Sequence, residues 1–142
     1  MESFDTLGVE TARGISLWRR RRRARAAGIG AEALVFGCGN PPPNLKNEDG
    51  EMHLGRVFVS AGVRLWTNQG GILRIGDGTY LDEGVEIVAW ESVDIGRQCY
   101  VGLDALIMDT DLHAVGDHPV RNRAVSIGDG AVIGCRSLIL KG

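Results

Sequence analysis

A period of six residues constrains the fold of this chain more than any other feature. An aliphatic residue recurs at every sixth position in three runs of three, and glycine follows it at five of the nine places. A helix needs apolar residues every three or four positions and a strand every two, so neither element alone fits. A short strand and a corner fit, with one aliphatic side chain per side pointing into an axial core. The nine positions are Ile75, Leu81, Ile87, Ile95, Val101, Ile107, Ile127, Ile133 and Ile139.

Three such sides make one coil of 18 residues, and stacked coils pair their strands in parallel. We therefore predict an all-β fold, a parallel β-helix of hexapeptide repeats. Glycine suits the tight corners of such a coil, and the chain holds 21 glycines in 142 residues, about twice the usual share of roughly 7%. Aromatic residues make up only 6% of the chain, which agrees with a narrow core of small and β-branched side chains.

Two interruptions of the period predict insertions. The step from Ile87 to Ile95 is eight residues, which predicts a two-residue bulge near Glu91 to Val93. The step from Ile107 to Ile127 is 20 residues, which predicts a loop that leaves the coil at about 110–126. Insertions in solenoids map to one face, often the binding face. This loop holds two of the three histidines, so we expect the chemistry there.

The period also predicts how the chain is divided. Val57 and Val63 lie 18 residues before Ile75 and Leu81, which predicts a degenerate coil from Val57 to Arg74. We therefore assign residues 55–142 to the β-helix and residues 1–54 to an N-terminal arm and link. Residues 38–56 look like an irregular, turn-rich link, and residues 11–27 are compatible with a helix. The sequence ends on the third side of a coil, so we expect further coils to be missing.

Charge is unevenly spread along the chain. Residues 1–27 hold seven arginines against three acidic residues, a net charge of +4, whereas residues 28–142 carry −6. Such an arm is either a solvated segment or a contact surface for anionic lipid, nucleic acid or the acidic body of the protein. Of these contacts we expect Arg19–Arg25 to bind an anionic membrane surface weakly, and we expect no nucleic-acid partner. Three cysteines without a CxxC pair, and no apolar stretch of spanning length, predict a cytoplasmic protein with free thiols.

Two segments within the repeat region carry a family resemblance. The segments Met108-Asp-Thr-Asp-Leu-His113 and Ile127-Gly-Asp-Gly-Ala-Val-Ile-Gly134, with the hexads, resemble the hexapeptide-repeat acyltransferases. Within that family they are most similar to galactoside and maltose O-acetyltransferases and to sugar O-acetyltransferases of polysaccharide clusters. The resemblance covers about residues 55–142. It implies a left-handed β-helix, a homotrimer, and acetyl-CoA in a groove between adjacent subunits, with no metal.

The resemblance also implies the catalytic roles. A neutral histidine can accept the proton of a sugar hydroxyl as that hydroxyl attacks the thioester, and His113 is the predicted general base. Either an acidic neighbour or a carbonyl must hold the other ring nitrogen. Asp111 and Asp109 are the nearest acidic candidates, and Asp109 is also a candidate to bind substrate.

Three further residues are predicted to bind ligands. Main-chain N–H groups at the Gly134–Cys135 corner are expected to stabilise the oxyanion and to contact the cofactor. Asp82 occupies the place of the family's acceptor-binding asparagine, so it is the predicted residue for binding the acceptor. The acceptor itself is expected to be a hydroxyl of a sugar or a glycan precursor.

Two other functions remain open at this point. The spacing of His113 and His118 is also found in γ-class carbonic anhydrases, which are zinc enzymes on the same fold. Such a site needs three protein ligands, and the third histidine, His53, is sixty residues away. The other alternative is a non-catalytic β-helix that serves as a scaffold or assembly subunit, because a fold alone does not fix a function.

Overall fold

Short β-strands make up the regular structure of the residues that can be described. The computed structural model describes residues 29–31, 35–36 and 39–142, and all regular elements of these residues are strands. The strands are β1 (Ile29–Ala31), β2 (Val35–Phe36), β3 (Asn44–Asn47), β4 (Glu51–Leu54), β5 (Phe58–Val59), β6 (Arg64–Thr67), β7 (Ile72–Ile75), β8 (Tyr80–Leu81), β9 (Glu86–Ala89), β10 (Ser92–Ile95), β11 (Tyr100–Val101), β12 (Leu106–Met108), β13 (Val125–Ile127), β14 (Val132–Ile133) and β15 (Leu138–Leu140).

Three parallel sheets of five strands form the walls of a prism. Sheet A has the order β1-β4-β7-β10-β13, sheet B contains β2, β5, β8, β11 and β14, and sheet C contains β3, β6, β9, β12 and β15. Every strand pairs in parallel with the strand three places along the chain, so each coil adds one strand to each sheet. Coil 1 is β1–β3, and coil 5 is β13–β15. The predicted all-β parallel β-helix is confirmed.

The core is a set of aliphatic columns along the axis of the prism. In sheet C, Leu65 pairs with Ile87, Ile87 with Ile107, and Ile107 with Ile139. The first three are completely buried, and Ile139 is partly buried. Because each side chain packs on like residues above and below it, cutting one back to alanine costs about 2–5 kcal/mol.

The predicted coil length of 18 residues is wrong. Paired residues are 22 apart between Leu65 and Ile87 and 20 apart between Ile87 and Ile107. The additional residues lie at the corner between sheets C and A. There, Trp90 and Glu91 separate β9 from β10, whereas Val93, placed in the bulge by the sequence, is buried in β10. Corner residues face outward and so do not follow the period of the core.

The predicted register of the early coil is also wrong. Ile75 pairs with Leu54, not with a position equivalent to Val57, and Leu81 pairs with Val59. Val57 and Val63 are fully buried, but they belong to a different column. The four residues between β6 and β7 form a wide turn, in which Gln69 and Gly70 both have positive φ, and this turn shifts the register.

The link predicted at residues 38–56 contains two strands of the prism. β3 pairs with β6, and β4 pairs with both β1 and β7. The β-helix therefore extends upstream of residue 55. The sequence of residues 38–56 is rich in Asn and Pro and has only Leu45, Met52 and Leu54 facing the core. For that reason it predicts a loop. The helix predicted for residues 11–27 and the run Arg19–Arg25 lie outside the described residues.

Candidate functional site

A hairpin leaves the prism between β12 and β13, at the corner between sheets C and A. Thr110 pairs with Asn122, and Val115 pairs with His118, both in the antiparallel sense. Residues 111–121 are all solvent-exposed. We call residues 110–122 the histidine hairpin. It lies where the sequence predicts an inserted loop, and it carries His113 and His118.

A tight turn presents His113. The His113 N–H donates to the carbonyl of Asp111 at 2.7 Å, and the residue between them, Leu112, has a φ of 63°. A hydrogen bond between residues two apart, with a positive φ at the residue between them, defines a γ-turn. This turn is rare around a non-glycine residue. The Leu112 N–H donates to Thr110 Oγ1 at 3.0 Å and supports the turn.

The His113 ring has a carbonyl, not a carboxylate, as its partner. Its Nδ1 lies 3.3 Å from the carbonyl oxygen of Ala114, and the side chain is exposed. In the tautomer with a proton on Nδ1, that nitrogen donates to the carbonyl and Nε2 keeps a free lone pair. Such an imidazole can accept a proton from a substrate hydroxyl at Nε2.

Asp111 does not orient His113, contrary to the prediction. Its carboxylate forms an ion pair with Lys141 Nζ and accepts a hydrogen bond from the Arg121 N–H at 3.3 Å. Hydrogen bonding from Lys141 is the main reason that the pKa of Asp111 is lowered. Lys141 also donates to the carbonyl of Arg121 at 3.1 Å. The pair therefore ties the neck of the hairpin to the segment after β15.

Asp109 lies inside a corner and not on a substrate-binding surface. Its exposed fraction is 0%. Its two carboxylate oxygens accept the N–H groups of Trp90 and Glu91, each at 2.8 Å. The role predicted for Asp109 in substrate binding is therefore wrong for this structure. The carboxylate supports the turn of the coil below, at the base of the histidine hairpin.

The other predicted ligand-binding residues meet at the corner between sheets B and C. The Tyr100 hydroxyl donates to Asp82 Oδ2 at 2.6 Å, and the Glu83 N–H donates to Asp82 Oδ1 at 2.8 Å. The hydrogen bond to Asp82 is the main cause that raises the pKa of Tyr100 to about 12, and burial and the nearby charges of Asp82 and Cys135 add to it. We call Asp82, Tyr100, Gly134 and Cys135 the tyrosine corner.

Gly134 and Cys135 form this corner in coil 5. Both are exposed, and the Cys135 thiol is free. They stack closely on coil 4, because a Cβ placed on Gly102 would lie 2.7 Å from the Cys135 nitrogen. In coil 4, the equivalent N–H group of Gly102 donates to the Ile133 carbonyl of the next coil at 2.8 Å. The Gly134 N–H group therefore points along the axis of the prism.

The structure separates the predicted base from the predicted oxyanion donors. The tyrosine corner precedes the sheet C strands, and the histidine hairpin follows them. The four steps from Ser137 to Lys141 span about 13 Å of extended chain. Within one chain, His113 and Cys135 therefore lie at opposite edges of sheet C.

Two features of the site carried no clear sequence signal. Tyr100 was not among the predicted residues, although it follows Tyr80 at the coil spacing of 20 and stacks on it with ring centroids 5.6 Å apart. Lys141 is 30 residues from its partner, so spacing could not have identified the pair. Trp66 and Trp90 pack edge to face, with ring centroids 5.7 Å apart.

The described residues contain no group of three His, Cys, Asp or Glu side chains arranged to hold a metal ion. His53 is bound to Glu51 at 2.8 Å, on the outer face of sheet A. It does not supply the third ligand that the zinc-enzyme alternative requires beside His113 and His118.

Comparison of the chain with protein-family models, with curated proteins and with solved structures gave no match. No helix among the described residues is long and apolar enough to cross a membrane. The case for a function therefore rests on the histidine hairpin and the tyrosine corner.

Proposed function

We propose that this protein transfers an acetyl group from acetyl-CoA to a hydroxyl of a sugar or glycan precursor, with His113 as the general base. The observation that carries the proposal is the exposed imidazole of His113, whose Nδ1 faces the Ala114 carbonyl and leaves Nε2 open. The hairpin that presents it is inserted into a hexapeptide β-helix at a corner. An already activated thioester needs no enzyme nucleophile, so one base and a set of oxyanion donors suffice.

The reaction is a direct acyl transfer. His113 Nε2 takes the proton from the acceptor hydroxyl while that oxygen attacks the thioester carbonyl carbon. The tetrahedral intermediate collapses, the C–S bond breaks, and the imidazolium returns the proton to the departing CoA thiolate. The products are an acetyl ester and free CoA. The main-chain N–H groups of Gly134 and Cys135 would stabilise the oxyanion from a neighbouring chain, since the His113 of their own chain lies at the other edge of sheet C.

The test compares the two histidines of one hairpin. Release of CoA thiol from acetyl-CoA is measured with a panel of sugar acceptors for the wild-type chain, His113→Ala and His118→Ala. We expect His113→Ala to lower turnover by about 10²–10⁴-fold, the usual contribution of a general base, and His118→Ala to stay within a few-fold of wild type. Equal losses in the two variants, or none in His113→Ala, would refute the base assignment.

Binding of the acyl donor has a separate test. CoA at a hundred times its dissociation constant stabilises a folded state by about 2.7 kcal/mol. We expect the melting temperature to rise with CoA concentration until it saturates. Coenzyme fragments that lack the pantetheine arm should not raise it. A folded chain whose melting temperature does not respond to CoA would contradict the proposed donor.

Location and partners belong to the same proposal. We place the enzyme in the cytoplasm as a homotrimer, with Arg19–Arg25 contacting the anionic inner face of a membrane where glycan precursors are assembled. Co-sedimentation with vesicles containing anionic lipid, with and without residues 13–25, tests the membrane contact. Equal binding by both chains would remove it.

A scaffold is the second candidate function. The separation of His113 from the tyrosine corner within one chain favours it, as do the exposed aliphatic side chains of sheet C. A scaffold tolerates loss of the imidazole, so His113→Ala would leave the cellular phenotype unchanged. If the protein is an acyltransferase, the same substitution would change the phenotype.

A further inference from the structure

The turn that presents His113 is fixed at Asp111. The Asp111 carbonyl accepts the His113 N–H at 2.7 Å, and the Asp111 N–H donates to the Arg121 carbonyl at 3.3 Å. The Asp111 carboxylate also accepts the Arg121 N–H at 3.3 Å. Because Asp111 and His113 are the two ends of one three-residue turn, a displacement of Asp111 moves the His113 main chain with it.

Lys141 joins this turn to the prism. It comes directly after β15, whose Ile139 belongs to the core column of sheet C. Its Nζ forms an ion pair with the Asp111 carboxylate and donates to the Arg121 carbonyl at 3.1 Å. One ammonium group therefore holds both arms of the hairpin neck, and it is anchored two residues from the core.

The tip of the hairpin has weaker support. Residues 111–121 are all exposed, so no buried side chain of this segment anchors it in the core. The Nδ1 of the His113 ring lies 3.3 Å from the carbonyl oxygen of Ala114, which is part of the same exposed segment and moves with it. The position of the imidazole therefore depends on the neck, where Lys141 supplies the link to the coils.

The Lys141 pair is less exposed than the other lysine pair. Lys46 and Lys141 are the only lysines of the chain. The side chains of Lys46 and its partner Glu48 are 52% and 43% exposed, whereas those of Lys141 and Asp111 are 22% and 37% exposed. Water and salt therefore screen the Lys141 pair less. Hydrogen bonding from Lys141 also lowers the pKa of Asp111, which keeps the carboxylate ionised and paired at neutral pH.

We propose that Lys141 is a positioning residue, which holds the turn of Asp111 and His113 so that Nε2 of the imidazole faces the acceptor hydroxyl. The inference rests on the proposed acyl transfer and adds a residue to it. Asp111 makes no contact with the imidazole ring, so Lys141 acts through the main chain of the turn. A catalytic group misplaced by about 1 Å lowers the rate by about 10²-fold, so a loosened neck is expected to slow the reaction.

The first test does not depend on catalysis. The nitrogen chemical shifts of a histidine report which ring nitrogen carries the proton, and they are measured above about pH 8, where an ordinary histidine is neutral. In the full wild-type chain we expect His113 to be protonated mainly on Nδ1. Lys141→Met should increase the other tautomer, Lys141→Arg should restore the wild-type shifts, and Lys46→Met should leave them unchanged. Identical His113 shifts in the wild type and in Lys141→Met would overturn the proposal.

The second test is a double-mutant cycle on CoA release from acetyl-CoA. We expect Lys141→Met to lower kcat by about 10–100-fold, with the KM for acetyl-CoA within a few-fold of wild type. Lys141→Arg should recover most of this loss. In a His113→Ala background, Lys141→Met should cause no further loss, because no base remains to be positioned. Equal losses in the two backgrounds would overturn the positioning role.

The positioning role and the proposed acyl transfer fail in different ways. Wild-type turnover in His113→Ala would refute His113 as the base, whatever Lys141→Met does. A large loss in His113→Ala, combined with wild-type turnover and unchanged His113 shifts in Lys141→Met, would refute the positioning role alone.

Discussion

Asp109→Ala tests whether the buried carboxylate at the hairpin base supports the corner of the coil below. Asp109 is completely buried, and its oxygens accept the N–H groups of Trp90 and Glu91 at 2.8 Å. Removing the carboxylate leaves both main-chain donors without a partner, in a place that alanine does not fill. We therefore expect Asp109→Ala to lower the free energy of unfolding.

The magnitude follows from two hydrogen bonds to a charged group. Each contributes about 1.5–3 kcal/mol, and relief of the desolvation of a buried carboxylate offsets part of their sum. We expect Asp109→Ala to lower the free energy of unfolding by about 3–5 kcal/mol. Asp109→Asn keeps one oxygen acceptor and should lose about half as much.

Urea unfolding, followed by far-UV circular dichroism, measures the effect. With a slope of about 2 kcal/mol per molar urea, a loss of 4 kcal/mol lowers the midpoint by about 2 M. Asp94→Ala is the control. It removes an exposed carboxylate that pairs with Arg74 at 3.1 Å, and such pairs contribute only about 0.2–1 kcal/mol.

Two results would refute this reasoning. One is a loss below 1 kcal/mol for Asp109→Ala at unchanged slope. The other is equal destabilisation by Asp109→Ala and Asp94→Ala. If the alanine variant does not fold, Asp109→Asn still gives a measurable midpoint, and a value equal to wild type would contradict the proposed role.

Three further predictions concern the tyrosine corner, the hairpin neck and the packing between coils. The raised pKa of Tyr100 means that its protonated form stabilises the fold, and this contribution is lost as the pH rises from 10 to about 12. An ultraviolet titration of Asp82→Asn should show Tyr100 ionising closer to pH 10. An unchanged titration curve would contradict the hydrogen bond to Asp82 as the cause. The lowered pKa of Asp111 means that its pairing stabilises the fold above its ordinary pKa and is lost as the pH falls; Lys141→Met should raise that pKa in a carboxyl-carbon NMR titration. Gly102→Ala should lower the melting temperature by several degrees, because the added Cβ would lie 2.7 Å from a main-chain nitrogen of coil 5, and an unchanged melting temperature would show that the coils separate easily.

The periodic part of the sequence was enough to predict the sheets. Because one aliphatic side chain per side must enter the core, Leu81, Ile87 and Ile107 fix both the inward face and the parallel stacking. The corners have no such requirement. The turn at Gln69 and Gly70 and the wide corner at Trp90 add residues without touching the core, so the coil length and the register of Val57 could not be predicted from the period.

The predicted site was only partly determined by sequence. The spacing predicted an inserted loop around His113, since 20 residues cannot fit one side of a coil. It could not show that Asp109 turns inward, because an Asp beside a polar loop looks exposed. One signal was present: Asp109 occupies the strand-end position at which other coils place Asn47 and Thr67, which are hydrogen-bonded to each other at 2.7 Å.

The stacked rings on sheet B give this protein a built-in optical probe. Phe58, Tyr80 and Tyr100 belong to coils 2, 3 and 4, and their ring centroids are 4.6 Å and 5.6 Å apart. The tryptophan pair, Trp66 in β6 and Trp90 directly after β9, reports on the contact between coils 2 and 3. Electronic transitions of rings held this close and in fixed orientation couple, so the near-ultraviolet dichroism depends on the alignment of neighbouring coils. A slip of one coil past the next would change that spectrum while leaving the strand content, and hence the far-ultraviolet signal, intact.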